Sequence, residues 1–249
     1  MAADIPTLLM MVAVASMVMA GTLVVVAWGE RSDGLKLWAA GLCCHALAYV
    51  MFLLRGHIPD PVSILLGNTL ASATFSFLLA AVHRFQGSVL RWRVMLLPPL
   101  GLAWLLSLLL QDFGLRVTLS ALVMAFQAAW LLWVLFNRRR EAPGQGALMV
   151  MVAMGIEVAV LLVRGASGAS KTLGAQNLLQ ADGVQVVTFV TAFAVLLIAS
   201  LGFIFMSKER ADEANRRLAA LDELTGVANR RSIIAALDRD VGRAIRTRE

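Results

Sequence analysis

Charge is scarce in this chain. Only 15% of its 249 residues are Asp, Glu, Lys or Arg and 59% are hydrophobic, where a soluble domain carries about 25% and about 45–50%. Cysteine is nearly absent too. Cys43 and Cys44 are neighbours in an apolar run; they have neither CxxC spacing nor a disulfide framework, and read as small core residues. Of three histidines only His45 lies well inside an apolar run, with His57 in a loop and His83 at a run's end. A haem wants facing axial ligands, so haem is disfavoured, and no metal site is expected. The last apolar run, Val184–Met206, has no lysine, which argues against the Schiff base of a retinal protein. A removable leader is also disfavoured: Asp4 is the only early charge, there is no basic n-region, and the first apolar run is longer than an h-region.

What is present is a series of long apolar runs. Crossing the hydrocarbon takes about 20 mostly apolar residues as a helix. Such runs lie near Leu8–Trp28, Leu35–Leu54, Val62–Val82, Val94–Leu110, Phe113–Phe136, Ala147–Val163 and Val184–Met206. The pattern predicts an all-α membrane protein of about seven transmembrane helices, the fourth and sixth being the shortest. Pro6 and Pro61 sit just ahead of two runs, where a missing N–H costs nothing. Pro98 and Pro99 fall inside the fourth, which predicts a kink or a late start there.

The charges that do exist are uneven. Residues 1–206 hold 20 of the 38 charged side chains, and residues 207–249 hold the other 18. The chain thus divides into a membrane domain over 1–206, a linker helix over 207–221 and a further segment over 222–249. With the N-terminus outside, the inner loops carry Arg31, Lys36, Arg84, Arg91, Arg93, Arg138, Arg139 and Arg140, against Arg55, Arg116, Arg164 and Lys171 outside. The positive-inside rule favours that orientation and a cytoplasmic C-terminus. Trp28, Trp38, Trp92 and Trp133 would then lie towards the inner interface, where amphipathic rings settle. The net charge of +6 is accounted for by topology and lipid headgroups, with no nucleic acid needed.

After Met206 no glycine or proline interrupts the chain until Gly226, so the last span can continue as a helix. Ser207, Ala211, Ala214, Leu218 and Leu221 recur at steps of four and three, the a/d seam of a short coiled coil. Asp212 with Arg216 and Glu213 with Arg217 are i,i+4 pairs of favourable polarity. A homodimer joined along this seam is one expectation, and a single solvated linker helix is the other. Beyond it, Gly226 suits a helix stop and Asn229 a new N-cap. Ile233, Leu237, Val241 and Ala244 then form an apolar stripe at helical spacing.

The segment Asp222-Glu-Leu-Thr-Gly-Val-Ala-Asn-Arg-Arg231, reached by a helix from a membrane span, resembles the opening of a GGDEF domain, the diguanylate cyclase family. The likeness rests on Asp222, Leu224, Thr225, Gly226, Asn229, Arg230 and Arg231. Val227 stands where the family usually has leucine, and Ile233 where it often has an aromatic. The resemblance implies a cytoplasmic α/β domain that condenses two GTP into cyclic di-GMP with Mg, as a dimer holding one GTP per protomer. It also implies that the metal carboxylate, the guanine loop and the GG[DE]EF hairpin come after Glu249. The residues in hand are therefore expected to contain no catalytic residue and no cofactor, and to be inactive alone. They would be a fragment or a natural truncation, and the stripe from Ile233 onward, which lacks a sheet to pack on, favours a fragment.

An ionisable side chain within a span is a functional hypothesis by default. Glu157 lies near the middle of the sixth run and His45 at similar depth in the second, with Arg55, Asn68, Arg164 and Gln185 nearer the outer face. These six could line an outward-opening pocket for a small-molecule or membrane-derived signal. They could equally be an interhelical hydrogen-bonded cluster that holds the bundle together. The expectation is a sensor in a bacterial inner membrane. Its alternatives are a transporter or channel, which would show an internal repeat with broken helices, and a sensor with a degenerate, non-catalytic GGDEF domain.

Overall fold

In the computed structural model the described residues are 4–28, 34–89, 91–138, 144–170, 178–179 and 182–219, with 229, 233, 234, 237 and 241 beyond; the side chains of 217–219 are excepted. They form seven helices and no strand: α1 Ile5–Val26, α2 Leu35–Leu53, α3 Asp60–Phe85, α4 Trp92–Leu108, α5 Phe113–Asn137, α6 Gln145–Ala169 and α7 Gly183–Ala219. Six are long and apolar enough to cross a membrane. The exception is α4, whose 17 residues reach about 26 Å at a rise of about 1.5 Å per residue, short of a hydrocarbon core of about 30 Å.

Local sequence explains the helix starts. Asp4 caps α1 by accepting from the Thr7 N–H at 3.1 Å, with Pro6 in the first turn. Asp112 caps α5 through the Leu115 N–H at 2.9 Å. Pro61 occupies the first turn of α3, where its missing N–H has no helical partner to lose. At the start of α2, Gly34 takes φ 96°, and a Cβ there would meet the Ala81 carbonyl oxygen at 2.4 Å, so glycine is required by backbone angle and by space.

Consecutive helices α1 through α6 pack on one another, and α3 also packs on α5. The closest approach of α5 and α6 is made by small residues. A Cβ on Gly114 would lie 2.9 Å from the Gly168 oxygen, and one on Gly168 would lie 2.6 Å from Thr118 Oγ1. That hydroxyl lies 2.9 Å from the Gly114 carbonyl and 3.1 Å from the Gly165 carbonyl, which share its one hydrogen. Close backbone contact of this kind replaces the hydrophobic drive that is missing between helices in lipid. Large apolar side chains face outward throughout, among them Val14, Val18, Leu97, Trp104, Phe126 and Leu148, each more than half exposed. A soluble monomer rarely exposes apolar surface on that scale; a membrane protein does.

Three expectations change. Of the kink or late start expected at Pro98-Pro99, the late start does not occur: α4 begins at Trp92 and runs through both prolines, whose missing N–H groups deprive the Val94 and Met95 carbonyls of their usual backbone donors. The sixth span is not short: α6 continues past Val163 to Ala169, because its small-residue end packs on α5. Trp38 is no interface anchor. It is wholly buried, stacked on Phe203 at 4.3 Å between centroids, and it donates from Nε1 to Ser200 Oγ at 3.2 Å. Trp28, Trp92 and Trp133 are exposed, as an interfacial ring should be.

The chain divides into two compact units, Met1–Met206 and Ser207–Glu249. In the second, helix continues through Ala219, covering Ser207, Ala211 and Ala214 of the seam; the Leu218 side chain and Leu221 lie outside the described residues. So do Asp222, Leu224, Thr225, Gly226, Arg230 and Arg231. Ile233 N–H donates to the Asn229 oxygen at 3.1 Å, a helical turn where the sequence places a cap. Ile233, Leu237 and Val241 are exposed.

Candidate functional site

A cavity of about 100 Å3 lies among α2, α3, α5, α6 and α7. Its lining comes from the ends of these helices that carry the segments 54–59, 109–112 and 170–182. Five of the six polar residues picked from the sequence line it: His45, Arg55, Asn68, Glu157 and Arg164. Gln185 does not; it is buried on α7, outside the lining. Four residues that sequence reasoning misses complete the polar wall: Tyr49, Arg116, Ser120 and Thr188. Tyr49 is the only tyrosine in the chain and stands one turn from His45, a spacing that shares a helix face. Arg116 counts in the sequence only as an outer-side charge at the start of the Phe113–Phe136 run; it belongs to the first turn of α5.

The arginines are held in different ways. Arg55 follows α2 and donates from Nε to Ser63 Oγ at 3.3 Å; Ser63 in turn donates to the Met51 carbonyl at 2.8 Å. Arg116 donates from Nε to the Asp112 carbonyl at 3.3 Å and lies over the Phe113 ring. Arg164 places its guanidinium 5.5 Å from the centroid of Phe189, a cation–π distance. Arg55 Nη2 and Arg164 Nη1 are buried without a hydrogen-bond partner. Burial and then the like charge of Arg116 lower the Arg55 pKa to about 10, with Asp60 opposing, so this guanidinium remains charged at neutral pH.

Deeper in the cavity the chemistry changes. Glu157 is buried, at 8% exposure, and among the described residues it has no hydrogen bond or ion pair. His45 contacts Ser16 Oγ through Nδ1 at 2.8 Å, and the same hydroxyl reaches the Val12 carbonyl at 2.6 Å. A hydroxyl has one hydrogen; with it on Val12, His45 Nδ1 is the donor and Nε2 the acceptor. Tyr49 stacks obliquely on His45 at 4.7 Å and feels the charges of both Glu157 and Arg164. His45 and Glu157 also border a second cavity of about 40 Å3 that reaches Trp38 and Ser200.

No hydrogen bond joins any of the five lining candidates to another. His45 is bonded between helices only to Ser16 of α1, and a larger interhelical polar network lies outside the lining. Gln127 on α5 accepts from Ser72 Oγ at 2.8 Å, and its Nε2 lies 3.0 Å from both the Ser72 carbonyl and Ser76 Oγ. That network ties α3 to α5 behind the cavity wall; a glutamine in an apolar run is its only signal in the sequence. Among the described residues no group of histidine, cysteine or carboxylate side chains could hold a metal. The cavity is thus a mostly apolar chamber lined by three guanidinium groups and by a carboxyl group with no hydrogen bond or ion pair among the described residues. Comparison of the chain with protein-family models, curated proteins and solved structures finds no match.

Proposed function

We propose that this protein is the membrane-embedded input region of a diguanylate cyclase-type signalling protein. Seven helices cross the cytoplasmic membrane, the 17-residue α4 at the lower limit of about 17–25 residues for a span, with the N-terminus outside and the C-terminal segment in the cytoplasm. A small molecule enters the cavity from the outer side, and its binding is passed along α7 to a GGDEF domain that begins at Asp222. That domain uses Mg and two GTP, and works as a homodimer joined along the Ser207–Leu221 seam. A ligand can drive such a change only by preferring one of two arrangements.

The observation that carries the reading is α7 itself. One helix supplies Thr188, Phe189 and Ala192 to the cavity and continues without interruption to Ala219, across the change from apolar to charged sequence at Ser207. The element that lines the site is the element that enters the signalling segment. A transporter reading depends on helices broken at mid-depth; the described helices are continuous, which supports signalling instead.

Orientation is tested first. A reporter that works only in the cytoplasm should be active when fused after Met206 and silent after Gly174. The reverse pattern removes the cyclase from the compartment that holds GTP, and the reading with it.

A further inference from the structure

We propose that the cavity binds a short aliphatic monocarboxylate, its head gripped by Arg55 and Arg164 and its chain laid against the apolar wall. The assignment deepens the reading above and rests on it for the consequence of binding.

Charge comes first. Three guanidinium groups and one carboxyl group line the cavity; Asp60, Asp112 and Asp182 act on these arginines from outside the lining, but none of the three has an ion pair among the described residues. Arg55 Nη2 and Arg164 Nη1 are buried donors with nothing to donate to, a state that costs free energy until an acceptor arrives. A guanidinium fork matches the two oxygens of a carboxylate better than any neutral acceptor.

Size and lining narrow the class. At about 100 Å3 the cavity is smaller than the roughly 150 Å3 that accepts benzene, so an aromatic acid, whose ring alone has the size of benzene, would displace side chains. Phe52, Ile64, Val117, Leu161 and Phe189 offer apolar surface for an aliphatic chain, which inorganic phosphate would leave unused. At depth stands Glu157, a carboxyl group and not another cation, and the third guanidinium, Arg116, already has Asp60 and Asp112 acting on it. A dicarboxylate is therefore disfavoured. The remaining source of an anionic head is a lipid phosphate reaching the same arginines from the bilayer.

The test uses the full chain in nanodiscs and butyrate as probe. In discs of phosphatidylcholine alone, labelled butyrate should bind saturably, and butyramide, succinate and inorganic phosphate at least about tenfold more weakly, since each lacks the charge, the single head or the chain. Arg55→Gln and Arg164→Gln should each weaken butyrate by at least about tenfold. Arg164→Lys should stay weaker than the unmodified chain, because ammonium is a point charge without a fork. Arg84→Gln, an exposed arginine at the other end of α3, should change nothing.

Should either glutamine variant fail to fold, magnetic dipolar coupling between carboxyl-labelled butyrate and nitrogen-labelled guanidinium groups of the unmodified chain decides the matter. A coupling supports the assignment and its absence overturns it. Absence of saturable binding, equal binding of butyramide, or indifference to both arginine substitutions would also overturn it. So would binding confined to phosphatidylglycerol in mixed discs that butyrate cannot displace, which assigns the arginines to lipid. Butyrate binding that leaves cross-linking of the α7 seam unchanged would sink the signalling reading alone. A seam that responds to another stimulus while butyrate fails to bind would sink this inference alone.

Discussion

Replacing Gln127 by leucine removes three interhelical contacts while nearly keeping the side chain's volume. The contacts are those with Ser72 Oγ, the Ser72 carbonyl and Ser76 Oγ, at 2.8, 3.0 and 3.0 Å. Within membranes such bonds average about 0.6 kcal/mol and reach about 1.7 kcal/mol, which brackets the loss between about 2 and about 5 kcal/mol. Two features bear on where in that range it falls. Leucine gains nothing by leaving lipid for the protein interior, but the stranded serine hydroxyls can turn to the carbonyls four residues back, as Thr74 does to Leu70 at 3.0 Å. We therefore expect Gln127→Leu to destabilise the bundle by about 2 kcal/mol, read as reversible unfolding in mixed micelles. In a double-mutant cycle Gln127→Leu with Ser72→Ala should show a coupling of about 0.5–1 kcal/mol. If Gln127→Leu stays within about 0.5 kcal/mol of the unmodified chain, the range of ordinary surface changes, the network does not tie α3 to α5 and the reasoning fails.

Gly168→Ala places a methyl 2.6 Å from Thr118 Oγ1 and 2.8 Å from the Gly114 oxygen, so α5 and α6 must part; the same unfolding assay should show a loss of about 1–3 kcal/mol. Gly155→Ala on the same helix meets nothing within 4 Å and should be neutral or stabilising by up to about 1 kcal/mol; equal effects at the two glycines would refute the close-contact account. On the proposed dimer seam, cysteine at Ala214 or Leu218 should cross-link between copies much faster than cysteine at Asn215, and equal rates would reduce α7 to a tether. Four residues inserted after Ala214 rotate the rest of the helix by about 40° relative to a straight helix and, on the proposed reading, should change cyclic di-GMP output when the chain is joined to a GGDEF domain. Seven inserted residues nearly restore phase and should leave that output close to normal.

The helices and their punctuation were legible in the sequence because each has a local cause. Apolar runs of the right length mark α1 to α3, α5 and α7, and Pro6 and Pro61 sit where a missing N–H is harmless. The break in composition at Ser207 coincides with the boundary between compact units. Five of the cavity's polar residues could be named, since a polar group in an apolar run stands out wherever it points.

Where each one points was another matter. In a soluble helix the apolar stripe identifies the buried face, but here residues facing the core and residues facing outward are both apolar: Leu9 and Leu23 are buried while Val14 and Val18 are exposed on the same helix. Periodicity then carries no facing information. Only packing decided that Arg116, Tyr49 and Thr188 join the cavity, that Gln185 stays out of it, and that Trp38 goes to the core. Those choices depend on which turns of non-adjacent helices meet, and that is set by the close glycine contacts and the Gln127 network. Chain order records the residues of such a contact far apart, as Gly114 is from Gly168 and Ser72 from Gln127, and three-dimensional structure is where they become one surface.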